Sequence, residues 1–206
     1  MKINRRKIVA AAGLSSIVLF SVFILAAATL LSSPDAFKRF RVSWMGGEYL
    51  GDTGVVRQDK RNNCGPAALK MVFDHYGISS ALVEIESNVG LTEKGSSMLA
   101  LKEMAELKGL KAEGWRLTLE DFLKVPMPAI VFVHGDHFAV VDSVTDDNDV
   151  VMRDPALGKV KLPGKKLLRI WNGETLVFRT RTQGGGRKYD GTNPHPELHT
   201  QDTERK

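Results

Sequence analysis

From Ile8 to Leu31 the chain carries no charged residue and is rich in Ala, Val, Ile and Leu. A helix needs about 20 consecutive apolar residues to cross the hydrocarbon of a bilayer, so this run predicts one transmembrane helix. Everything after it must then lie on one side of a membrane. Lys2, Arg5, Arg6 and Lys7 precede the run, which favours a cytoplasmic amino terminus. Lys38, Arg39 and Arg41 follow it and weaken that bias without reversing it. A cleaved signal peptide is the competing reading, because Ala26-Ala27-Ala28 supplies small residues of the kind such sites use. The run is long for a signal core, and the anchor is preferred. The expected location is the bacterial cytoplasmic membrane, single-pass, with the remaining chain on the extracytoplasmic, periplasmic side.

That remaining chain has room for one domain of ordinary size. A content of 43% hydrophobic and 26% charged residues is globular rather than disordered. The net charge of +5 is mild, and its one small cluster, Lys165, Lys166 and Arg169, reads as a solvated surface. No interleaving of basic and aromatic residues argues for nucleic acid. The expected organisation is 1–32 as cytoplasmic stub and anchor, 33–52 as linker, 53–182 as folded domain and 183–206 as flexible polar tail. The tail holds Gly184-Gly185-Gly186, His195 and His199 and too little apolar surface to order itself.

Within the domain, helical spacing comes first. Leu69, Val72, Phe73 and Tyr76 fall at i, i+3, i+4 and i+7, the stripe of an amphipathic helix over 65–76. Asn62 or Asn63 can cap it and Gly77 can end it. A weaker helix follows over 81–88, and another over 98–108 begins at Ser96 or Ser97 and closes at Gly109. Thr118 with Asp121 resembles a capping box opening a short helix that Pro126 stops. Then the period changes. Residues 128–133, 137–144, 149–153 and 176–179 read as strands. Helices followed by strands predict an α+β fold.

Only one cysteine is present, so no intramolecular disulfide can form. A lone cysteine is most often a small buried hydrophobe. Cys64, however, opens the helix of the Leu69 stripe, beside Asn63 and Gly65-Pro66. A helix amino terminus favours negative charge, and the thiolate is the nucleophilic form of the side chain. Such a nucleophile needs a base, and the base needs an orienter. His75 lies about three turns, roughly 16 Å, along the same helix and is too distant. His134 and His137 flank Gly135-Asp136, a turn between two strands, and spacing alone leaves both open. If residues 137–144 and 149–153 form a hairpin, Asp154 ends close to where His137 begins. Asp154-Pro155 is equally a plain turn signal. Gln58, six residues before Cys64, carries an amide of the kind that can bind an oxyanion. One cysteine and scattered histidines give no zinc-ligand spacing, so no metal or other cofactor is expected.

Taken together, Gln58, the run Asn63-Cys64-Gly65-Pro66-Ala67-Ala68-Leu69, the run His137-Phe138-Ala139-Val140-Val141 and Asp154-Pro155 resemble the C39 peptidase family of the papain-like clan. The likeness spans about 55–180. It implies a papain-like cysteine peptidase fold, with helices packed on an antiparallel sheet. It also implies Cys64 as nucleophile, His137 rather than His134 as general base and acid, Asp154 as orienter and Gln58 for the oxyanion hole. The implied reaction is endoproteolysis after a Gly-Gly leader or processing site of an exported protein or peptide, in contact with secretion or surface-assembly machinery. Well-known members are fused to ABC exporters, whereas this sequence contains no Walker-type Gly-Lys-Ser/Thr loop. A stand-alone processor on the membrane's outer side is the expected form. A non-hydrolytic leader-binding module and a transpeptidase using the same acyl-enzyme are the alternatives.

Overall fold

The computed structural model describes residues 17–29 and 34–180. Among them seven strands form one antiparallel sheet: β1 (Glu48–Gly51), β2 (Leu110–Arg116), β3 (Ala129–Val133), β4 (His137–Val144), β5 (Asp149–Asp154), β6 (Gly158–Pro163) and β7 (Trp171–Thr180). Their order across the sheet is β1-β6-β5-β4-β3-β7-β2. Strands β3 to β6 run as successive hairpins, the cheapest connection for antiparallel neighbours.

Because side chains alternate across a pleated strand, each central strand feeds two cores. On β3 and β4, Ile130, Phe138 and Val140 point to one face. Ala129, Val131, Val133, Ala139 and Val141 point to the other. The first face is covered by α3 (Cys64–His75), α4 (Leu82–Asn88) and α5 (Met98–Leu107). The second is covered by α2 (Pro34–Trp44), α6 (Leu119–Phe122) and α7 (Gly164–Ile170). Residues 17–29 form a further helix, α1.

The helix that matters most is α3. Its stripe is as the spacing predicts: Leu69, Val72 and Phe73 are fully buried, and each such burial is worth roughly 1.5–3 kcal/mol. Tyr76 completes the stripe, and its hydroxyl donates to the Phe178 carbonyl at 3.1 Å. The helix stops where Gly77 takes φ +69°, a left-handed conformation that costs glycine no Cβ clash. The amide of Ile78 then reaches back to the Phe73 carbonyl at 2.8 Å and satisfies one of the last carbonyls. Ser97 caps α5 by accepting from the Ala100 amide, and Thr118 caps α6 by accepting from the Asp121 amide.

Two regions differ from the sequence reading. First, residues 33–52, expected as a linker, contain α2 and the edge strand β1, and Val42 of α2 is fully buried. The helix was hidden because its large apolar residues point outward. Phe37, Phe40 and Trp44 are exposed, so no inward stripe marks it. Second, β2, β6 and α7 carry glycines and charges that mask their period, and β7 starts at Trp171 rather than near 176. Among the described residues no helix is long and apolar enough to cross a membrane. Part of the run expected to span, residues 8–16 and 30–31, lies outside the described residues, as do the tail histidines and its triple glycine.

Candidate active site

Cys64 is the first residue of α3 and the only cysteine. No acidic residue stands in the first turn of α3, and the positive end of the helix meets the thiol there. Asn63 occupies the cap position but does not cap. Its buried amide donates to Asp59 Oδ1 at 2.6 Å and Glu86 Oε1 at 2.7 Å, and its oxygen accepts from the Lys60 amide at 3.1 Å. These bonds fix the loop that delivers the cysteine. Gly65 is required by proximity: a Cβ there would lie 2.3 Å from Ser96 Oγ and 3.2 Å from the Phe138 ring. Its absence lets the start of α3 seat directly against the start of β4.

His137 is the first residue of β4 and Asp154 the last of β5. The hairpin brings them together, with His137 Nε2 at 3.0 Å from Asp154 Oδ1. That oxygen also accepts from the amides of Ala156 at 2.7 Å and Leu157 at 3.0 Å. The Asp-Pro turn therefore serves both as turn and as carboxylate holder. A carboxylate only accepts, so Nε2 is the donor and Nδ1 is the ring nitrogen left for Cys64.

The charges follow from this geometry. Burial pushes the Cys64 thiol up, but the hydrogen bond from His137, the Phe138 amide and the Gly65 amide together bring it below its ordinary value of 9.0. Burial pushes His137 down, yet Asp154 and the thiolate outweigh it and raise the imidazole to about 10. Asp154, pushed up by burial, is held below its ordinary value of 3.8 by His137 and the two turn amides. The three groups thus shift one another in a common sense: His137 favours the thiolate of Cys64, and Asp154 and Cys64 together favour the protonated imidazole.

Gln58 lies in the loop before α3, and its backbone amide donates to the Pro155 carbonyl at 3.1 Å. That bond places it beside the turn that holds Asp154. Its side-chain amide donates to the Lys60 carbonyl at 3.0 Å, while its Oε1 is buried without a partner among the described residues. His134 is exposed at the β3–β4 turn with φ +58°, and His75 is exposed at the far end of α3. Neither joins the cluster around Cys64. Among the described residues no group of His, Cys, Asp and Glu could hold a metal ion.

Arg153 was missed by sequence reasoning. It is buried beside Asp154, and its guanidinium grips Asp142 through Nε at 2.9 Å and a terminal nitrogen at 2.7 Å. The other terminal nitrogen donates to the Gly54 carbonyl at 2.9 Å. It thus ties β5 to β4 and to the loop carrying Gln58. No local signal in the strand Asp149–Asp154 singles it out, since a buried charge persists only when paired and its partner lies on another strand.

Residues 52–183 match the Peptidase C39 family. The chain belongs to that family. It is therefore a C39 cysteine peptidase with the papain-like fold of the group. Among its relatives, an uncharacterized protein of Methanothermobacter thermautotrophicus is 37% identical over 62% of this chain and 89% of its own length. FapD of Pseudomonas aeruginosa, a probable functional amyloid protease, is 31% identical over 68% of this chain and 64% of its own. Among solved structures, the double glycine motif protease of an AMS/PCAT transporter, in complex with its leader peptide, superposes with a TM-score of 0.59. It is 30% identical and covers 61% of this chain and 90% of that one.

Proposed function

We propose that this C39 peptidase is a membrane-anchored endopeptidase that cuts after a Gly-Gly site in an exported protein or peptide. Cys64 is its nucleophile, His137 its acid and base, Asp154 the orienter and Gln58 an oxyanion donor. The observation that carries the reading is the 3.0 Å contact between His137 Nε2 and Asp154 Oδ1, which turns the other ring nitrogen toward Cys64 at a helix start. The Gly-Gly preference draws support from the leader-bound double glycine protease, and the exported substrate from the amyloid protease of Pseudomonas aeruginosa. The anchor rests on the uncharged run from Ile8 to Leu31 and the basic residues before it.

The Cys64 thiolate attacks the carbonyl carbon of the second glycine, and the carbonyl oxygen takes the negative charge. The Cys64 amide at the start of α3 and the second N–H of the Gln58 side-chain amide stabilise that oxyanion, a term worth about 10²–10³ in rate per donor. The tetrahedral adduct collapses, the C–N bond breaks, and the His137 imidazolium gives its proton to the leaving amine. A thioester to Cys64 remains. Water then attacks it while neutral His137 takes the water's proton, and release of the new carboxylate restores the thiolate–imidazolium pair.

The test is cleavage of peptides bearing a Gly-Gly pair by the full chain, with Cys64→Ala and His137→Ala beside it and Gly→Ala substitutions in the peptide. Cleavage after the pair that disappears in both variants and on either glycine substitution is the expected result. Alkylation of Cys64 at the rate of a free thiol, unaffected by His137→Ala, overturns the catalytic assignment. Tight binding of the same peptides without a product would make the chain a leader-binding module instead.

A further inference from the structure

Helix α2 buries little of itself. Val42 packs into the core, and Lys38 turns inward to Asp52 on the β1 side, at 2.6 Å, and lies 5.7 Å from the Tyr49 ring centroid. Phe37, Phe40 and Trp44 stand at i, i+3 and i+7, so they share one stripe on the side of the helix away from Val42. All three are exposed, Trp44 to 83%. The Phe40 and Trp44 rings lie 6.2 Å apart, one continuous aromatic strip. Single exposed apolar residues occur on any surface, but an aromatic strip of this kind marks an interaction surface.

The surroundings of the strip identify what it meets. Arg39 and Arg41 are exposed on the same helix. Helix α7 lies alongside, since Val42 and Met45 from the α2 end line one cavity of about 240 Å³ with Lys166 and Arg169 of α7. That neighbour adds exposed Lys165 and Arg169 and a half-exposed Leu168. The small basic cluster of the sequence thus joins the arginines of α2 on the back of the sheet. Aromatic rings flanked by Arg and Lys are the composition that settles at the headgroup level of a bilayer. Helix α1 precedes α2 in the chain, with Phe20, Phe23, Ile24 and Leu25 all exposed.

We infer that the α2–α7 face is a lipid-docking surface, with Phe37, Phe40 and Trp44 seated in the bilayer interface and the surrounding cations on anionic phospholipid headgroups. Helix α2 therefore does not act as a slack tether. It holds the domain on the membrane by the back of its sheet, and α3, which carries Cys64, packs on the opposite face. The inference deepens the reading of a membrane-anchored peptidase, and its test separates the two.

The full chain is reconstituted in vesicles of zwitterionic phospholipid, with or without anionic phospholipid, some of it brominated high on the acyl chains. Bromine quenches only tryptophans that reach the lipid. The difference in emission between wild type and Trp44→Ala isolates Trp44 from Trp115 and Trp171. Quenching of the Trp44 component that strengthens with anionic lipid is expected. Arg39→Ala and Arg41→Ala should each lower the docked-to-free ratio roughly five-fold on anionic vesicles. Unchanged Cys64 alkylation in each variant reports that the domain is still folded. A Trp44 component indifferent to bromine overturns the inference, and so does one shielded by an added protein but never by lipid. Resistance to alkaline carbonate extraction reads the anchor separately. An extractable chain whose Trp44 is still quenched on anionic vesicles keeps the docking surface and loses the span.

Discussion

The two faces of the sheet are built from the same alternating strands, yet they are covered by very different helices. On the face of α3, α4 and α5, helices with inward apolar stripes lie on Ile130, Phe138 and Val140, and one of them presents Cys64. On the face of α2, α6 and α7, short helices contribute single anchors such as Val42, Phe122 and Leu167, and α2 turns its aromatic residues outward. The first face positions Cys64, and the second supports the strands that carry His137 and Asp154. A helix face that is apolar inward announces packing. One that is apolar outward announces a partner.

The comparison breaks most sharply at the chemistry. Replacing His137 by Ala is expected to lower turnover about 10²–10⁴-fold, the ordinary worth of a positioned acid and base, and to lower the melting temperature at neutral pH because the buried Asp154 loses its charged partner. It also moves the onset of Cys64 alkylation to higher pH, because burial then acts on the thiol without the imidazole to offset it. In the wild type that onset lies below 9.0, and peptide cleavage falls again near pH 10 as His137 gives up the proton it must deliver. A pH series of alkylation and cleavage reads both limbs.

Next come two phenylalanines, both fully buried, one per face. Phe73→Ala and Phe122→Ala should each cost about 3–5 kcal/mol in denaturant unfolding. Only Phe73→Ala should also slow Cys64 alkylation under native conditions, because it loosens the helix that holds the thiol. Equal slowing in both variants would mean that the two cores act as one unit.

Asp154→Asn should cost less in rate than loss of the imidazole, but it changes the pH dependence. The raised value of His137 means its stabilisation is complete below its ordinary 6.5 and is lost as pH rises through about 10. The lowered value of Asp154 means its share is complete above 3.8 and is lost as pH falls through the depressed value. Stability measured against pH should show both losses in the wild type; in the variant the acid loss disappears and the alkaline one shrinks, because Cys64 still holds the imidazole up. The alkaline limb of cleavage should also move down. The smallest effect belongs to Val42→Ala, at about 2 kcal/mol for two buried methyl groups. It should free α2 from the sheet while leaving Cys64 alkylation unchanged.

The sequence exposed the first face because periodicity reports burial. The spacing of Leu69, Val72, Phe73 and Tyr76 sets α3, and its boundary at Gly77 follows from one left-handed residue. The same logic failed for α2, whose apolar residues serve the outside, and for β2 and β6, where alternating lysines and glycines blur the period. Arg153 escaped notice because a buried charge is recognisable only with its partner, and Asp142 lies on the neighbouring strand.

The sequence by itself determined which residues could react. It placed one thiol at a helix start, two histidines about a turn and a carboxylate before a proline, and its short words carried the resemblance to C39 peptidases. Only the tertiary structure decided between the histidines by geometry. His137 meets Asp154 through the register of the β4–β5 hairpin, while His134 turns outward from the β3–β4 turn. It alone decided the charge state of the site. The pKa of a group depends on what approaches it in space and how far water is excluded, and neither is written in the order of residues along a chain.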